Sequence, residues 1–282
     1  MTLHYDTDVL LPYVNWAYFY HAWQLTDGGM QASIRREAEA FLSSIRGRYQ
    51  AHAVFQLFEA YAEGDDISCL PQTPPQGRGF VRLPMLRQQE VGSDYLCLAD
   101  FIPPKEYRPS VLSKRPSLRE GEGVGIFSTT VDERMVTDFD SDPYERMMAQ
   151  LVADRLAEAA AERLHEEVRK KYWGYAADEQ LSIAEMLQGH FQGIRPAVGY
   201  PSLPDTSLNF LLDELIDMRQ IGIRLTETGA MRPHASVSGL MICHPEARYF
   251  SVGKIGDDQL RDYARRRALP VDKVRTFLAA NI

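Results

Sequence analysis

The chain has 282 residues, of which 45% are hydrophobic and 25% charged, and its formal net charge at pH 7 is -8. These proportions are typical of a soluble globular protein with an ample core, and the acidic balance argues against a surface for nucleic acid or anionic membrane. The N-terminus has no basic cluster, so it is not a signal peptide, and no apolar run approaches the roughly 18 residues of a membrane span. Three widely spaced cysteines without metal-ligand spacing indicate reduced thiols, and a cytoplasmic location is expected.

Hydrophobic periodicity predicts mixed structure in the first half of the chain. The expected elements, in order, are a helical lead-in at 9–25, a helix at 30–46, strands at 51–62 and 67–70, a Pro/Gly loop at 71–79, a short segment at 86–90, and strands at 95–99 and 124–131. Between the last two strands, residues 105–123 are polar and contain two prolines, and this stretch is expected to be mobile.

The second half begins with a helix signature, because Ser141-Asp142-Pro143 combines a capping side chain with proline at the first helical position. The elements expected from there are a long helix at 144–171, helices at 178–187 and 207–221, strands at 224–228, 236–243 and 249–255, and closing helices at 257–267 and 271–278. Strands and helices do not alternate as βαβ units, and short turns join several strands. The prediction is therefore an α+β fold with an antiparallel sheet.

Common catalytic motifs fail on inspection. The glycine run at 121–125 precedes a predicted strand with the wrong spacing for a nucleotide loop. The stretch 165–169 begins like a zinc-protease helix, but Arg169 takes the place of the second histidine, which predicts a polar helix face instead. Of the scattered histidines, only His234 is kept as a candidate. With no self-contained active site, a ligand-binding module that cooperates with another protein is favoured.

The stretch 192–201 is a shaped loop, since two prolines and two glycines within ten residues cannot continue a helix or a central strand. Arg195 and Tyr200 each precede a proline and are expected to be extended. The loop thus presents one cation, whose planar fork matches a carboxylate or phosphate, and one aromatic face. On composition alone, such a loop is more often a structural turn.

The same loop, R-P-A-V-G-Y-P at 195–201, preceded by K-Y-W-G-Y at 171–175, resembles the C-terminal activation domain of cobalamin-dependent methionine synthase. The similarity continues along nearly the whole chain and predicts one domain over 1–282. Further matching stretches lie at 13–16, 64–67, 86–89, 97–101, 153–158, 225–227, 235–239, 244–245 and 262–266.

The resemblance implies a C-shaped α+β domain around a bent antiparallel sheet flanked by helices. In that family the domain binds S-adenosylmethionine and presents its methyl group to cobalamin held by a separate domain. One electron from flavodoxin or a similar reductase is also needed to reactivate oxidised cobalamin. The chain would then be a component of a methyltransferase that is not complete by itself, and the cofactor would do the hard chemistry.

Polar contacts to the ligand are implied residue by residue. Arg195 would clamp the ligand carboxylate, the backbone around Ala197 would meet the adenine and amino acid portions, and Glu158 would lie near the sulfonium. Asn15 and Gly189 stand where the family has acidic residues. Loss of the charge-assisted bond at Asn15 would cost roughly 1–2 kcal/mol, about tenfold in affinity, so weaker S-adenosylmethionine binding is predicted.

Aromatic contacts are implied as well: Tyr249 and Phe250 as a pair lining the ligand, and Tyr200 facing the cobalamin. Two alternatives stay open beside the reactivation module. One is a docking protein for a corrinoid protein that donates no methyl group, and the other is a reactivation factor for a different corrinoid methyltransferase. The sequence contains no D-x-H-x-x-G motif for binding cobalamin. The chain is therefore expected to be either a separate polypeptide that serves a split methionine synthase or an excised domain, and the initial Met1 favours the separate polypeptide.

Overall fold

An antiparallel sheet forms the centre of the structure, a computed structural model that describes residues 1–70, 79–107 and 123–282. The strands are β1 (Thr2–Asp6), β2 (Gln50–Glu63), β3 (Asp66–Leu70), β4 (Val81–Pro84), β5 (Val124–Val131), β6 (Arg224–Leu225), β7 (Met231–Arg232) and β8 (Ser236–Met241). The helices are α1 (Thr7–Leu10), α2 (Trp16–Ala22), α3 (Gly28–Ser44), α4 (Arg134–Thr137), α5 (Pro143–Glu167), α6 (Ile183–Leu187), α7 (Leu208–Ile216), α8 (Asp257–Arg267) and α9 (Val271–Phe277).

The main sheet has the order β4-β3-β2-β5-β8, and β1 joins β2 beside this path, while β6 and β7 form a separate pair. One edge of the long strand β2 pairs first with β1, up to Val54, and then with β3, from Glu59. Its other edge pairs with β5 from Ala51 to Phe58. The sheet curls into a half-barrel, bending where a strand exchanges partners. The predicted α+β fold around a bent antiparallel sheet is confirmed.

Two hydrophobic cores lie on opposite faces of this sheet. Every residue of β5 is buried, and the two-residue repeat of a strand sends alternate side chains to opposite faces. Phe127 belongs to the core that includes α5, and Ile126 to the core that includes α7. A third cluster, which includes the fully buried Tyr263, packs α8 and α9 against the segment near Leu86. The sheet is therefore covered on both faces.

The long helix α5 is the element on which the candidate site is built. Asp142 caps it by accepting the backbone N–H groups of Tyr144 and Glu145, as the signature predicts. Several alanines face the sheet, and Thr129 of β5 donates to the carbonyl of Ala157 at 2.8 Å. The helix ends in a π-helical turn, Val168–Tyr172, so the helix predicted at 144–171 is confirmed.

Most of the other predicted helices and strands are present in the structure, and two predicted strands are not. The helices at 30–46, 207–221, 257–267 and 271–278 and the strands at 51–62, 67–70, 124–131 and 236–243 are confirmed within a few residues. The strand predicted at 95–99 is wrong, because the segment leads into a 3-10 turn at Leu98–Phe101. Residues 249–255 are also not a strand, and three short strands, β1, β4 and β7, were not predicted.

The failed strand at 249–255 has a physical explanation. Val252 donates its backbone N–H to the carbonyl of Pro201, and Ile255 donates to that of Asn281. Both side chains are buried, so an irregular segment satisfies its backbone through loops while it buries the apolar residues that suggested a strand.

The sequence also led to expectations about mobile segments, membrane-spanning helices and the state of the cysteines. Residues 71–78 and 108–122, which include most of the predicted Pro/Gly loop and most of the predicted mobile stretch, lie outside the described residues. Within the described ranges, no helix has the length and apolarity needed to cross a bilayer. The three cysteines are buried and form no disulfide. The extent of a single domain over 1–282 stays a prediction.

Candidate functional site

The loop at 192–201 lies beside β8 and extends the sheet by one irregular strand. Ile194 and Ile242 exchange both backbone hydrogen bonds at 2.9 Å. Farther along, Leu240 donates to the carbonyl of Pro196 at 3.0 Å, and Val198 donates to that of Ser238 at 2.9 Å. The loop is therefore held by its backbone, as the two prolines and the predicted extended geometry require.

Close approach of this loop to the sheet depends on Gly239, which forms an isolated bridge with Ala197. A Cβ atom at Gly239 would lie 2.2 Å from the Pro196 carbonyl oxygen and 2.9 Å from the Ala197 Cα. Both are backbone atoms that cannot move without displacing the loop. Ala197 is itself buried, so its backbone is fixed in place.

Arg195 reaches from the loop to α5, where its Nη2 donates to Glu162. Its guanidinium carbon lies 5.7 Å from the centre of the Phe127 ring, and its Nε is buried without a hydrogen-bond partner among the described residues. Burial opposes the charged form, but the charges of Glu162, Tyr249 and Glu158 raise the pKa of Arg195. The side chain is a fixed cation with one donor unsatisfied.

Glu158 lies one helical turn before Glu162 and contacts the same loop. Tyr200 donates its hydroxyl to Glu158 Oε1 at 3.2 Å, and Arg155 donates to Oε2 at 2.7 Å. Burial raises the pKa of the Glu158 carboxyl, against the lowering effect of Arg155. The Tyr200 ring is half-exposed, so it forms the outer rim of the arrangement.

Tyr249 completes this group of side chains, and its neighbour Phe250 does not. The Arg195 backbone N–H donates to the Tyr249 hydroxyl at 2.8 Å, while the rest of Tyr249 is half-exposed. Phe250 packs instead against the second and third hydrophobic clusters. We call Glu158, Glu162, Arg195, Tyr200 and Tyr249 the Arg195 site.

Asn15 lies in a segment that packs along α5. Its Oδ1 caps α2 by accepting a backbone N–H of the first turn at 3.2 Å. Two residues earlier, Tyr13 donates to Glu166 of α5 at 2.6 Å, and three residues later the Tyr18 ring lies 5.9 Å from the Arg155 guanidinium. The segment therefore follows α5 past the turns that carry the Arg195 site.

Gly189 occupies an exposed turn after α6 with φ +78°. No atom lies within 4 Å of the Cβ that a side chain would add there, so space is not what favours glycine. The backbone conformation is one that L-residues rarely adopt. An acidic residue would be strained in this backbone conformation.

The support beneath the loop corrects one sequence expectation. The stretch 165–169 was expected to be a polar helix face, but His165 and Arg169 are buried. Arg169 pairs with Glu179 at 2.6 Å, and its guanidinium lies 4.4 Å from the centre of the Phe191 ring. Burial, followed by Arg169 and Arg195, lowers the pKa of His165. Within the described ranges, no cluster of three or more metal-ligand residues occurs, and His234 is exposed beside Asp154.

Glu162 is the residue that sequence reasoning missed. It follows Glu158 by four residues, a spacing that places both carboxylates on one face of a helix. That signal was available in the sequence, but its significance depends on Arg195, which is 33 residues away. Together the site holds two carboxylates, one fixed guanidinium and two tyrosines. It suits a small ligand that carries both a carboxylate and a positive charge.

Comparison with known proteins agrees with the fold. The family model described as vitamin B12 dependent methionine synthase, activation domain, matches residues 6–268. A solved structure, described as the crystal structure of the MetH reactivation domain bound to AdoHcy, superposes with a TM-score of 0.85. The two chains are 33% identical, over 100% of this chain and 90% of the other.

Proposed function

We propose, since this chain belongs to the activation-domain family of vitamin B12-dependent methionine synthase, that its Arg195 site binds S-adenosylmethionine for remethylation of cobalamin. The similar reactivation domain is bound to AdoHcy, which is S-adenosylmethionine without the transferred methyl group. S-Adenosylmethionine combines a carboxylate, an ammonium and a sulfonium. The charges of the Arg195 site complement all three.

The observation that carries the proposal is the state of Arg195. This guanidinium is almost fully enclosed, yet its Nε has no acceptor among the described residues. A buried donor without a partner costs about 1–3 kcal/mol. A ligand carboxylate would supply the missing acceptor through a charge-assisted bond. The donor set therefore fits the carboxylate end of the ligand.

The cationic end of the ligand is matched by Glu158, since the carboxylate of Glu162 is held by Arg195. Oxygen atoms of Glu158 are already oriented by Arg155 and Tyr200, so the carboxylate needs little reorganisation to face a sulfonium. The exposed part of Tyr249 and the backbone at Ala197 would border the adenosine. Phe250, the neighbour of Tyr249, would support this side of the binding site from the hydrophobic core. Asn15 and Gly189 leave the site with fewer carboxylates, and affinity below the family norm is expected.

The partner we propose is the cobalamin-binding part of methionine synthase, with flavodoxin or a similar reductase as the electron source in the cytoplasm. When bound, cobalamin would supply the reduced cobalt that accepts the methyl group. The contribution of this chain is to bind S-adenosylmethionine, orient its sulfonium and exclude water. Tyr200, at the half-exposed rim, is the side chain we expect to face the cobalamin.

Calorimetric titration of S-adenosylmethionine into wild type and Arg195→Ala tests the proposed site. We expect a loss of at least about tenfold in affinity, from removal of a charged hydrogen bond worth roughly 1.5–3 kcal/mol. Arg163→Ala is the matched control, because Arg163 also lies against α5 carboxylates but pairs with Glu166 and Glu167. Equal losses in the two variants would argue against the site.

A second assay tests the proposed activity. The chain is added to a methionine synthase that lacks its own activation domain, with oxidised cobalamin, a reductant and S-adenosylmethionine, and methylcobalamin formation is followed by absorbance. Wild type should restore methylation, and Arg195→Ala should not at limiting ligand. No binding at millimolar ligand together with no rescue would reject the proposal. Capture of the cobalamin-binding part regardless of Arg195→Ala would then favour a docking protein.

A further inference from the structure

We propose that Glu162 is a positioning residue that sets the orientation of Arg195 and so makes the site selective for ligands with a carboxylate. This inference rests on the proposed function of the Arg195 site. Glu162 does not need to touch the ligand. It acts through the guanidinium that it holds.

Three contacts leave the Arg195 side chain a single orientation. Glu162 accepts from Nη2 on one side, the Phe127 ring lies 5.7 Å from the guanidinium carbon, and the Arg195 main chain is held by Tyr249. The exposed fractions of the Arg195 and Glu162 side chains are only 12% and 23%. Water therefore competes weakly with the ion pair, and a long side chain that would otherwise sample many rotamers is held in one.

The ion pair between Arg195 and Glu162 leaves the other N–H donors of the guanidinium available to a ligand. Arginine presents its five N–H groups in a rigid plane, so fixing Nη2 against Glu162 also fixes the direction of Nε. That Nε is buried and has no hydrogen-bond partner among the described residues. A guanidinium held in place before binding loses less conformational entropy when it donates to a carboxylate. Removal of Glu162 would leave a buried charge free to turn towards Glu158 or towards solvent.

The alternative is that Glu162 competes with the ligand carboxylate for Arg195, or only stabilises the fold. A competitor would make the ligand bind more tightly once Glu162 is removed. A purely structural residue would change the affinity of every ligand by the same factor. A positioning residue should weaken only those ligands that use Arg195.

The experiment compares two probes, S-adenosylmethionine and decarboxylated S-adenosylmethionine, in which a hydrogen replaces the carboxylate. Both are titrated calorimetrically into wild type, Glu162→Gln and Glu162→Ala. For S-adenosylmethionine we expect a loss of about threefold in Glu162→Gln, which retains an acceptor oxygen, and about tenfold or more in Glu162→Ala. For the decarboxylated ligand both losses should be less than about twofold.

A double variant keeps the test decisive if Glu162→Ala is poorly folded. In the Arg195→Ala background, Glu162→Gln should no longer change S-adenosylmethionine affinity, because its effect passes through the missing guanidinium. Glu167→Gln is the matched control on the same helix, since Glu167 pairs with Tyr5 and Arg163 rather than with the loop. Circular dichroism confirms that each variant is folded.

The outcomes separate the two proposals. Equal losses for both probes, tighter binding in either Glu162 variant, or a persistent Glu162→Gln effect without Arg195 would overturn the positioning role while leaving S-adenosylmethionine binding intact. Absence of S-adenosylmethionine binding to wild type would instead reject the proposed function. Carboxylate-dependent, graded losses that vanish in Arg195→Ala would establish the role of Glu162.

Discussion

A single methyl group at Gly239 should separate the loop from the sheet. In Gly239→Ala the new Cβ would lie 2.2 Å from the Pro196 carbonyl oxygen and 2.9 Å from the Ala197 Cα, so the loop must move by about 1 Å to restore van der Waals contact. Two backbone hydrogen bonds, Leu240 to Pro196 and Val198 to Ser238, would be stretched. At roughly 1 kcal/mol each, their loss predicts a decrease of about 2 kcal/mol in the free energy of unfolding.

This change should also weaken ligand binding. Arg195 directly precedes the displaced residues, and a shift of about 1 Å at a preorganised site can cost up to 10²-fold. We therefore expect S-adenosylmethionine affinity to fall by at least about tenfold while the protein remains folded. The measurements are urea unfolding, followed by circular dichroism, and calorimetric titration of S-adenosylmethionine.

Gly28→Ala is the control for this substitution, because it adds the same methyl group in the first turn of α3, where no atom lies within 4 Å. It should leave ligand affinity unchanged. Unchanged stability and unchanged affinity in Gly239→Ala would refute the reasoning, since the loop would then not depend on its close approach to β8. A loss of stability without a loss of affinity would show that Arg195 is positioned by α5 alone.

Three further predictions concern charge. Asn15→Asp should preserve the α2 cap, since both residues cap well, and should tighten S-adenosylmethionine binding about tenfold by calorimetry; unchanged affinity would show that position 15 does not reach the ligand. S-Adenosylmethionine affinity, measured by calorimetry, should fall as the pH is lowered through the raised pKa of Glu158, because protonation removes a negative charge that faces the cation. In Glu158→Gln this part of the pH dependence of the affinity should be absent. Glu179→Ala should leave Arg169 buried and unpaired and lower the free energy of unfolding by about 3–5 kcal/mol, measured in urea; a loss below about 1 kcal/mol would mean that water replaces the carboxylate.

Local signals in the sequence predicted most of the individual elements. The cap at Asp142, the proline that follows it and the helical periodicity are local signals that predict α5 without any tertiary contact. The strand β2 was predicted from its Val, Phe and Tyr content despite imperfect alternation, and β5 was also predicted as a strand. Predictions failed where backbone partners came from distant loops, as at 249–255, or where strands were short, as in β1 and β4. Those elements exist because of their partners, and local periodicity carries little information about them.

The sequence by itself determined the fold class, the family resemblance and the loop that carries Arg195 and Tyr200, because prolines, glycines and hydrophobic periods act over a few residues. Only the tertiary structure decided what those side chains contact. It placed Arg195 against Glu162, Tyr200 against Glu158, and Phe250 against the second and third hydrophobic clusters. Such pairings depend on packing between residues far apart in the chain, and on the burial that strengthens their electrostatics. The contacts of a loop residue follow from the whole fold, whereas its backbone shape follows from its neighbours.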